Sequence, residues 1–292
     1  MDVKVKQNRQ NPKPIKFNRI KEYFMNAIVS IITPVYNSSR FVKQCLLSTT
    51  CQSYPYIEHI LVDDCSTDGS VNIIEGFAKS DSRIKLIKLT ENGGAGVARN
   101  TAIKAATGRF IAFLDSDDFW HKDKLKLQVD FMLKNDYAFT YTQYYIVNEY
   151  SEVNKLVHSP SIVHYKDILR NGYIGCLTAM YDSEKIGKHY MPLIRKRQDW
   201  SLWIMILKEI KVAYGIDQPL AYYRVGNESL SNNKFKLVKF NFNVFRKVLN
   251  MGFLESSYRM VVFLFCYFKF KLFSIKNVEH EMEVNPSKKE FK

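Results

Sequence analysis

Residues 84–120 read IKLIKLTENGGAGVARNTAIKAATGRFIAFLDSDDFW, and two periods meet in them. Ile84–Leu89 and Phe110–Leu114 are apolar runs of strand length, whereas residues 95–106 place small and apolar side chains at helical spacing. A strand, a helix-length crossover and a second strand make a βαβ unit with parallel strands. Asp115, Asp117 and Asp118 then arrive within four positions, at the mouth of a strand that reads as buried on both faces. Carboxylates crowded at such a place repel one another unless a cation or a bound group compensates them.

Upstream the same alternation repeats. IVSII (28–32) and IEHILV (57–62) read as strands, and residues 39–52 and 69–79 as the amphipathic helices after them. The spacing therefore predicts an α/β fold, a Rossmann-like, mostly parallel central sheet flanked by helices. Ligands bind such sheets outside the carboxyl ends of the strands. At those ends stand Thr33, Pro34, Val35, Tyr36 and Asn37; then Asp63 and Asp64; then Asn92-Gly93-Gly94-Ala95-Gly96; and then the acidic stretch. Four strands thus send their polar residues to one edge.

Downstream, the pattern predicts a helix at 122–134, a strand at 137–147, a less regular connection over 148–175 and a strand at 176–182. A helix starts near Gln198, and further strands are expected at 211–216 and 219–225. Residues 234–276 are helical in period, with basic and aromatic residues interleaved.

Composition narrows the function classes. The chain of 292 residues is 46% hydrophobic, enough for one large core rather than a disordered tail-like protein. Its five cysteines form no CxxC pair and no secretory signal opens the chain, so a cytoplasmic setting is expected. The longest apolar run, Met260–Phe268, is far short of the ~20 residues of a membrane span. The net charge of +14 sits at the ends: residues 1–24 carry +5 and 234–276 carry +8, while the body at 25–233 carries only +2. A near-neutral body with an acidic edge argues against a nucleic-acid groove, while the basic ends by themselves suit nucleic acid, an anionic membrane surface or no partner in particular.

The Asp115-Ser116-Asp117 spacing suits Mn²⁺ or Mg²⁺, hard cations that take one or two carboxylates while a ligand's phosphates fill other positions. Its bland alternative is that Asp117 or Asp118 caps the helix at 122–134. The glycines at 93, 94 and 96 do not make a dinucleotide fingerprint, which would follow the first strand and run G-x-G-x-x-G, whereas Arg99 stands at its last position.

PVYN (34–37), VDDCSTDGS (62–70), NGGAGVARNTAI (92–103), FLDSDDFW (113–120) and RQDWSLW (197–203) occur in the order found in family 2 glycosyltransferases. The chain resembles the bacterial subgroup that builds O-antigen, capsule and teichuronic-acid-type surface polysaccharides. The resemblance covers roughly residues 26–233 and extends to YRVGNESLSNNK (223–234). It implies a GT-A fold, a nucleotide-diphosphate sugar donor (a UDP-sugar by family habit), a Mn²⁺ or Mg²⁺ ion under the diphosphate, and a lipid-linked glycan acceptor at the inner face of the cell membrane.

Carried across by position, the resemblance gives Thr33, Pro34, Tyr36, Asn37 and Asp63 to the nucleoside, with Arg99 assisting. It gives Asp115 and Ser116 to the nucleotide-sugar, Asp115 and above all Asp117 to the metal, and Asp199 the place of the general base. Inverting sugar transfer requires a carboxylate that removes the proton of the attacking hydroxyl, so a metal cluster plus one separate Asp is the minimum set. For Asp199 the bland alternative is a helix cap. Arg195, Arg197, Trp200 and Arg224 are expected near the acceptor or the diphosphate.

Two positions depart from the pattern. Gln198 replaces a frequent Glu, and residues 225–227 lack the His that many relatives carry after Tyr-Arg. The expected layout is a basic tail (1–25), a GT-A domain (26–233), a helical basic-aromatic segment contacting membrane or partner (234–276) and a disordered tail (277–292). Rival readings are a sugar nucleotidyltransferase, which would carry a Gly-rich basic loop after the first strand, and a non-catalytic basic module binding membrane or nucleic acid.

Overall fold

A computed structural model describes residues 27–226 and 234–278, with the side chains of 234–237 outside the description. The expected tail at 1–25, residues 279–292 of the tail expected at 277–292, and the late-motif residues 227–233 lie outside the described residues.

Four parallel strands form one half of the sheet in the order β3 (Ile84–Lys88), β2 (Ile57–Asp63), β1 (Val29–Val35) and β4 (Phe110–Phe113). Every residue of β1, β2 and β4 is buried, which is why these segments read as continuous apolar runs rather than alternating ones. The crossovers are helices α1 (Val42–Thr50), α2 (Ser70–Ser80) and α3 (Ala95–Ala105). Asp64 fixes the entry to α3: its two carboxylate oxygens accept from the backbone N–H groups of Gly93 and Gly94 at 2.7 and 2.8 Å. Gly94 is in the left-handed region (φ 81°), where glycine carries no Cβ penalty.

Beyond β4 the sheet turns antiparallel. After β5 (Phe119–Trp120) and α4 (Lys124–Asn135), β6 (Phe139–Val147) is separated from β4 by β9 (Met180–Asp182), antiparallel to both. The sheet is thus mixed: parallel across β3-β2-β1-β4, then antiparallel on both sides of β9. The expected irregular connection contains β7 (Val153–Val157), β8 (Ile162–His164) and the short α5 (Tyr165–Ile168). The strand expected at 176–182 begins as a 3₁₀ turn at Cys176–Thr178, and only Met180–Asp182 is extended, leading into the short α6 (Ser183–Ile186).

After α7 (Gln198–Ile210), the two strands expected at 211–225 are one, β10 (Val212–Arg224). It runs parallel to β6 with register shifts on either side of Pro219, and antiparallel to β5 and β8. Proline is tolerated there because a bulge releases its missing donor from the ladder.

The C-terminal segment is part of the main core. It comprises α8 (Lys234–Asn243), a π-helical turn at Val244–Val248, α9 (Phe253–Phe273) and β11 (Ile275–Asn277). Val244, Phe245, Met260 and Phe263 join the cluster built on Trp200 and Trp203. The Trp200 ring lies 5.6 Å from Phe245 and 5.0 Å from Phe263, centroid to centroid. β11 then pairs with β7 at the sheet edge, so α9 is anchored at both ends. The tail expected from 277 therefore starts inside a strand.

Candidate active site

The sheet's polar edge opens onto a pocket of ≈ 1130 Å³. Arg99 from α3, the acidic loop after β4, the basic turn 195–197, Asp199 in the first turn of α7, and Arg224 at the end of β10 all line it. Residues expected to act together but separated by more than a hundred positions thus share one cavity.

Asp115 and Asp117 face this cavity without capping anything: α4 starts at Asp123 and takes no side-chain cap. Asp115 pairs with Arg99 Nη2 at 2.6 Å. Burial opposes the Arg99 charge, but the neighbouring Asp115 outweighs it and raises the guanidinium's pKa. The close pocket walls, together with the negative charge of Asp115, push the Asp117 carboxyl up to about 6. Two carboxylates in one pocket, of which Arg99 matches only Asp115, are a donor set that a divalent cation completes with substrate phosphates. No cluster of three or more His, Cys, Asp or Glu in ligating arrangement occurs among the described residues, so such an ion would draw the rest of its shell from ligand and water.

Asp118 does something else. It is 2% exposed, and its Oδ1 accepts from the backbone N–H of Arg224 at 2.8 Å; burial and the charges of Asp117 and Asp115 drive its pKa well up. The Arg224 guanidinium is spent on protein: Nε donates to the Asp117 carbonyl, Nη1 to the Asn148 and Glu149 carbonyls, and Nη2 to Gln44 Oε1. It also stacks over Phe41 and Phe119 at 4.5 and 5.5 Å. Arg224, expected near the diphosphate or the acceptor, lines the pocket while its nitrogens hold the acidic loop and the loop at 148–151. Arg224→Ala should free several buried carbonyls at a cost of about 3 kcal/mol. A thermal melt should then show the midpoint falling by several degrees, with Arg224→Lys recovering little because an ammonium lacks the planar fork.

The residues expected to hold a nucleoside divide. The Thr33 hydroxyl is fully buried and bonded to His59 Nε2 at 2.8 Å, so a nucleoside role for that side chain is corrected to a core role. Pro34 is buried in β1 beside it. Tyr36 is 55% exposed at the sheet edge. Asn37, in the left-handed region at φ 49°, accepts from the backbone N–H of Thr67 and so ties the end of β1 to the turn after β2. Asp63 is 4% exposed; Oδ2 accepts from Ser66 N–H, while Oδ1 is buried with no hydrogen-bond partner. A buried acceptor left open costs stability unless a ligand's N–H satisfies it. Ser116 is buried and exchanges a 2.7 Å hydrogen bond with Ser38.

Asp199 is half-buried at the pocket wall, and the cap of α7 is Arg197 (φ 68°), so the capping alternative for Asp199 does not apply. Arg197 Nε is held by buried Asn241 of α8 at 2.7 Å. Trp200 points away: it is 3% exposed and its Nε1 donates to the Ile168 carbonyl at 2.7 Å, which corrects its expected contact with an acceptor. Gln198 is the residue that sequence reasoning undervalued. Its Oε1 accepts from Arg99 Nη1 at 3.2 Å, linking Asp115 through Arg99 to the start of α7. A Cβ at Gly96 would lie 2.5 Å from Gln198 Nε2, so the small residue at 96 is what lets this link close.

Comparison with known proteins gives the following likenesses. The family model for Glycosyl transferase family 2 matches residues 30–195. Bacillus subtilis TuaG, a glycosyltransferase named for teichuronic acid biosynthesis, is 43% identical over 80% of this chain and 93% of its own length. Escherichia coli WfgD, named as a UDP-Glc:alpha-D-GlcNAc-diphosphoundecaprenol beta-1,3-glucosyltransferase, is 41% identical over 74% of this chain and 85% of its own. Among solved structures, Staphylococcus aureus TarS 1-349 in complex with UDP-GlcNAc superposes with a TM-score of 0.60 at 23% identity, covering 83% of this chain and 73% of that one.

Proposed function

The chain belongs to glycosyl transferase family 2, with that family's GT-A fold, and from this premise we propose that it is an inverting hexosyltransferase. It moves a hexose or N-acetylhexosamine from a UDP-sugar to a lipid-linked, diphosphate-bearing glycan, working at the inner face of the cell membrane. The observation that carries this reading is that Asp199 shares one pocket with Asp115 and Asp117. A carboxylate on α7 in the same pocket as the acidic loop supports a direct displacement at the anomeric carbon, which uses a base separate from the groups at the diphosphate.

The roles follow from the chemistry available at each residue. Asp63 Oδ1, buried and unpartnered, suits the ring N–H of a uracil. Asp115 and Asp117 would hold Mn²⁺ or Mg²⁺, which when bound supplies positive charge for the departing diphosphate. Arg99 holds Asp115 in place. Asp199 takes the proton from the acceptor hydroxyl as it attacks. Arg195 and Arg197, exposed or half-exposed at the pocket wall, supply charge for an acceptor diphosphate. WfgD's name supports the class: a β-linked product from UDP-Glc, whose sugar is α-linked, is inversion at carbon 1.

The test is an assay of UDP-sugars against a short-chain α-GlcNAc-diphosphate lipid with Mn²⁺, the anomeric configuration of the product being read by NMR. A β-linked product is expected; an α-linked one would sink the inverting mechanism. A pH effect accompanies it. Because Asp117 binds its proton up to about 6, the cation must displace that proton below this value. Mn²⁺-supported UDP affinity should fall about tenfold per pH unit on the acid side and level off above it, measured by calorimetric titration.

A further inference from the structure

Helix α9 is apolar on two faces, although it lies on the outside of the molecule. Ser256, Met260 and Phe263 are buried against the domain. On the opposite side Leu254, Tyr258, Val261, Phe265, Phe268 and Leu272 recur at alternating spacings of four and three, and each is 60–83% exposed. A helix with apolar stripes on two opposite faces is normally covered on both, by protein or by lipid. Here protein encloses only one half.

The charge around the exposed seam indicates what covers the other half. Lys269 and Lys271 are exposed on either side of the seam near its end, and Arg246 and Lys247 are exposed just before the helix begins. The single acid of residues 234–276, Glu255, is already paired with Arg259 at 3.7 Å. A second copy would bring two positive rims together, whereas an anionic bilayer is complementary to both the seam and the rim.

Two further observations fix the orientation. At 21 residues α9 is about 32 Å long, but its buried face and the β11–β7 pairing hold it along the domain, and no described helix is long and apolar enough to cross a membrane. Its inner face also touches the layer behind the pocket: Phe270 lies 5.3 Å from Tyr173, whose neighbours Gly172 and Ile174 line the pocket, and Phe263 packs on Trp200 next to Asp199. One layer of side chains separates the helix from the cavity wall.

We propose that α9 lies in the plane of an anionic bilayer surface, its outward seam sunk among the headgroups, so that the pocket sits at headgroup level and receives a bilayer-resident acceptor from the side. The binding half of this inference stands on α9 alone; the delivery half rests on the proposed lipid-linked acceptor.

The test is flotation of the full chain with vesicles of phosphatidylglycerol or of phosphatidylcholine, for wild type and Val261→Glu/Phe265→Glu. Wild type should float with phosphatidylglycerol vesicles and much less with phosphatidylcholine. The double variant should lose at least about tenfold in bound fraction while keeping its thermal midpoint and its UDP titration. Equal flotation of variant and wild type, or none of wild type, overturns the inference. So does a wild-type dimer in sedimentation that the variant converts to monomer, because then a second copy covers the seam. If wild type floats but neither protein binds UDP with Mn²⁺, the membrane surface stands and the glycosyltransferase assignment of the pocket fails on its own.

Discussion

Asp199→Asn should leave a folded protein that binds UDP and Mn²⁺ as wild type does but transfers sugar ~10²–10⁴-fold more slowly, the usual worth of a positioned general base. The side chain keeps its volume and loses only the capacity to accept a proton. Its place in the first turn of α7 makes the fold tolerant of the change, because Arg197 caps the helix and the charge at 199 contributes only about 0.5 kcal/mol through the helix dipole. The loss should therefore fall on kcat, with donor KM nearly unchanged, in a steady-state assay varying the UDP-sugar. A loss of only a few-fold would mean that another group takes the proton.

The second large effect is expected at Asp117. Asp117→Asn removes the carboxylate that the pocket walls and Asp115 hold near a pKa of 6, and with it the main ligand proposed for the cation. Mn²⁺ should then no longer strengthen UDP binding, and transfer should fall by about 10³-fold, a few kcal/mol of lost charge stabilisation at the diphosphate. Asp118→Asn is the informative contrast. Asp118 accepts from the backbone of Arg224 inside the protein, a bond that an amide oxygen keeps, so that variant should hold its thermal midpoint while Mn²⁺ continues to strengthen UDP binding. If the two variants behaved alike in the titration, neighbouring aspartates would not divide the work as their surroundings imply.

The parallel half of the fold was legible because its strands are long, apolar and separated by helices with their own period; β1, β2, β3 and β4 lie within a few residues of their expected positions. The rest was harder for physical reasons. β7 and β8 are five and three residues long, too short to display alternation. Asp217 and Gln218 fall between the two strands expected there, and only the pairing of β10 with β6 shows that the chain passes through them as a bulge. In the site, the acidic loop, Arg99 and Asp199 announced themselves by type and order. Trp200 misled because it adjoins Asp199, yet successive residues on a helix point about 100° apart, and this one turns into the core. Arg224 carried no local signal of its clasp, since its partners at Gln44, Asp117 and Asn148 come from three distant segments.

That clasp has a consequence for how the molecule comes into being. A ribosome releases the acidic loop early, complete by residue 118, but the arginine that grips it through both backbone and side chain is made 106 residues later, as the last residue of β10. During that interval the nascent chain holds its most repulsive carboxylates without the clasp. Closing so long a loop is among the slower steps available to a chain of this kind. A fragment ended before 212 would carry every acidic motif, Asp199 included, and still lack the latch; the site is locked only when synthesis has passed Arg224.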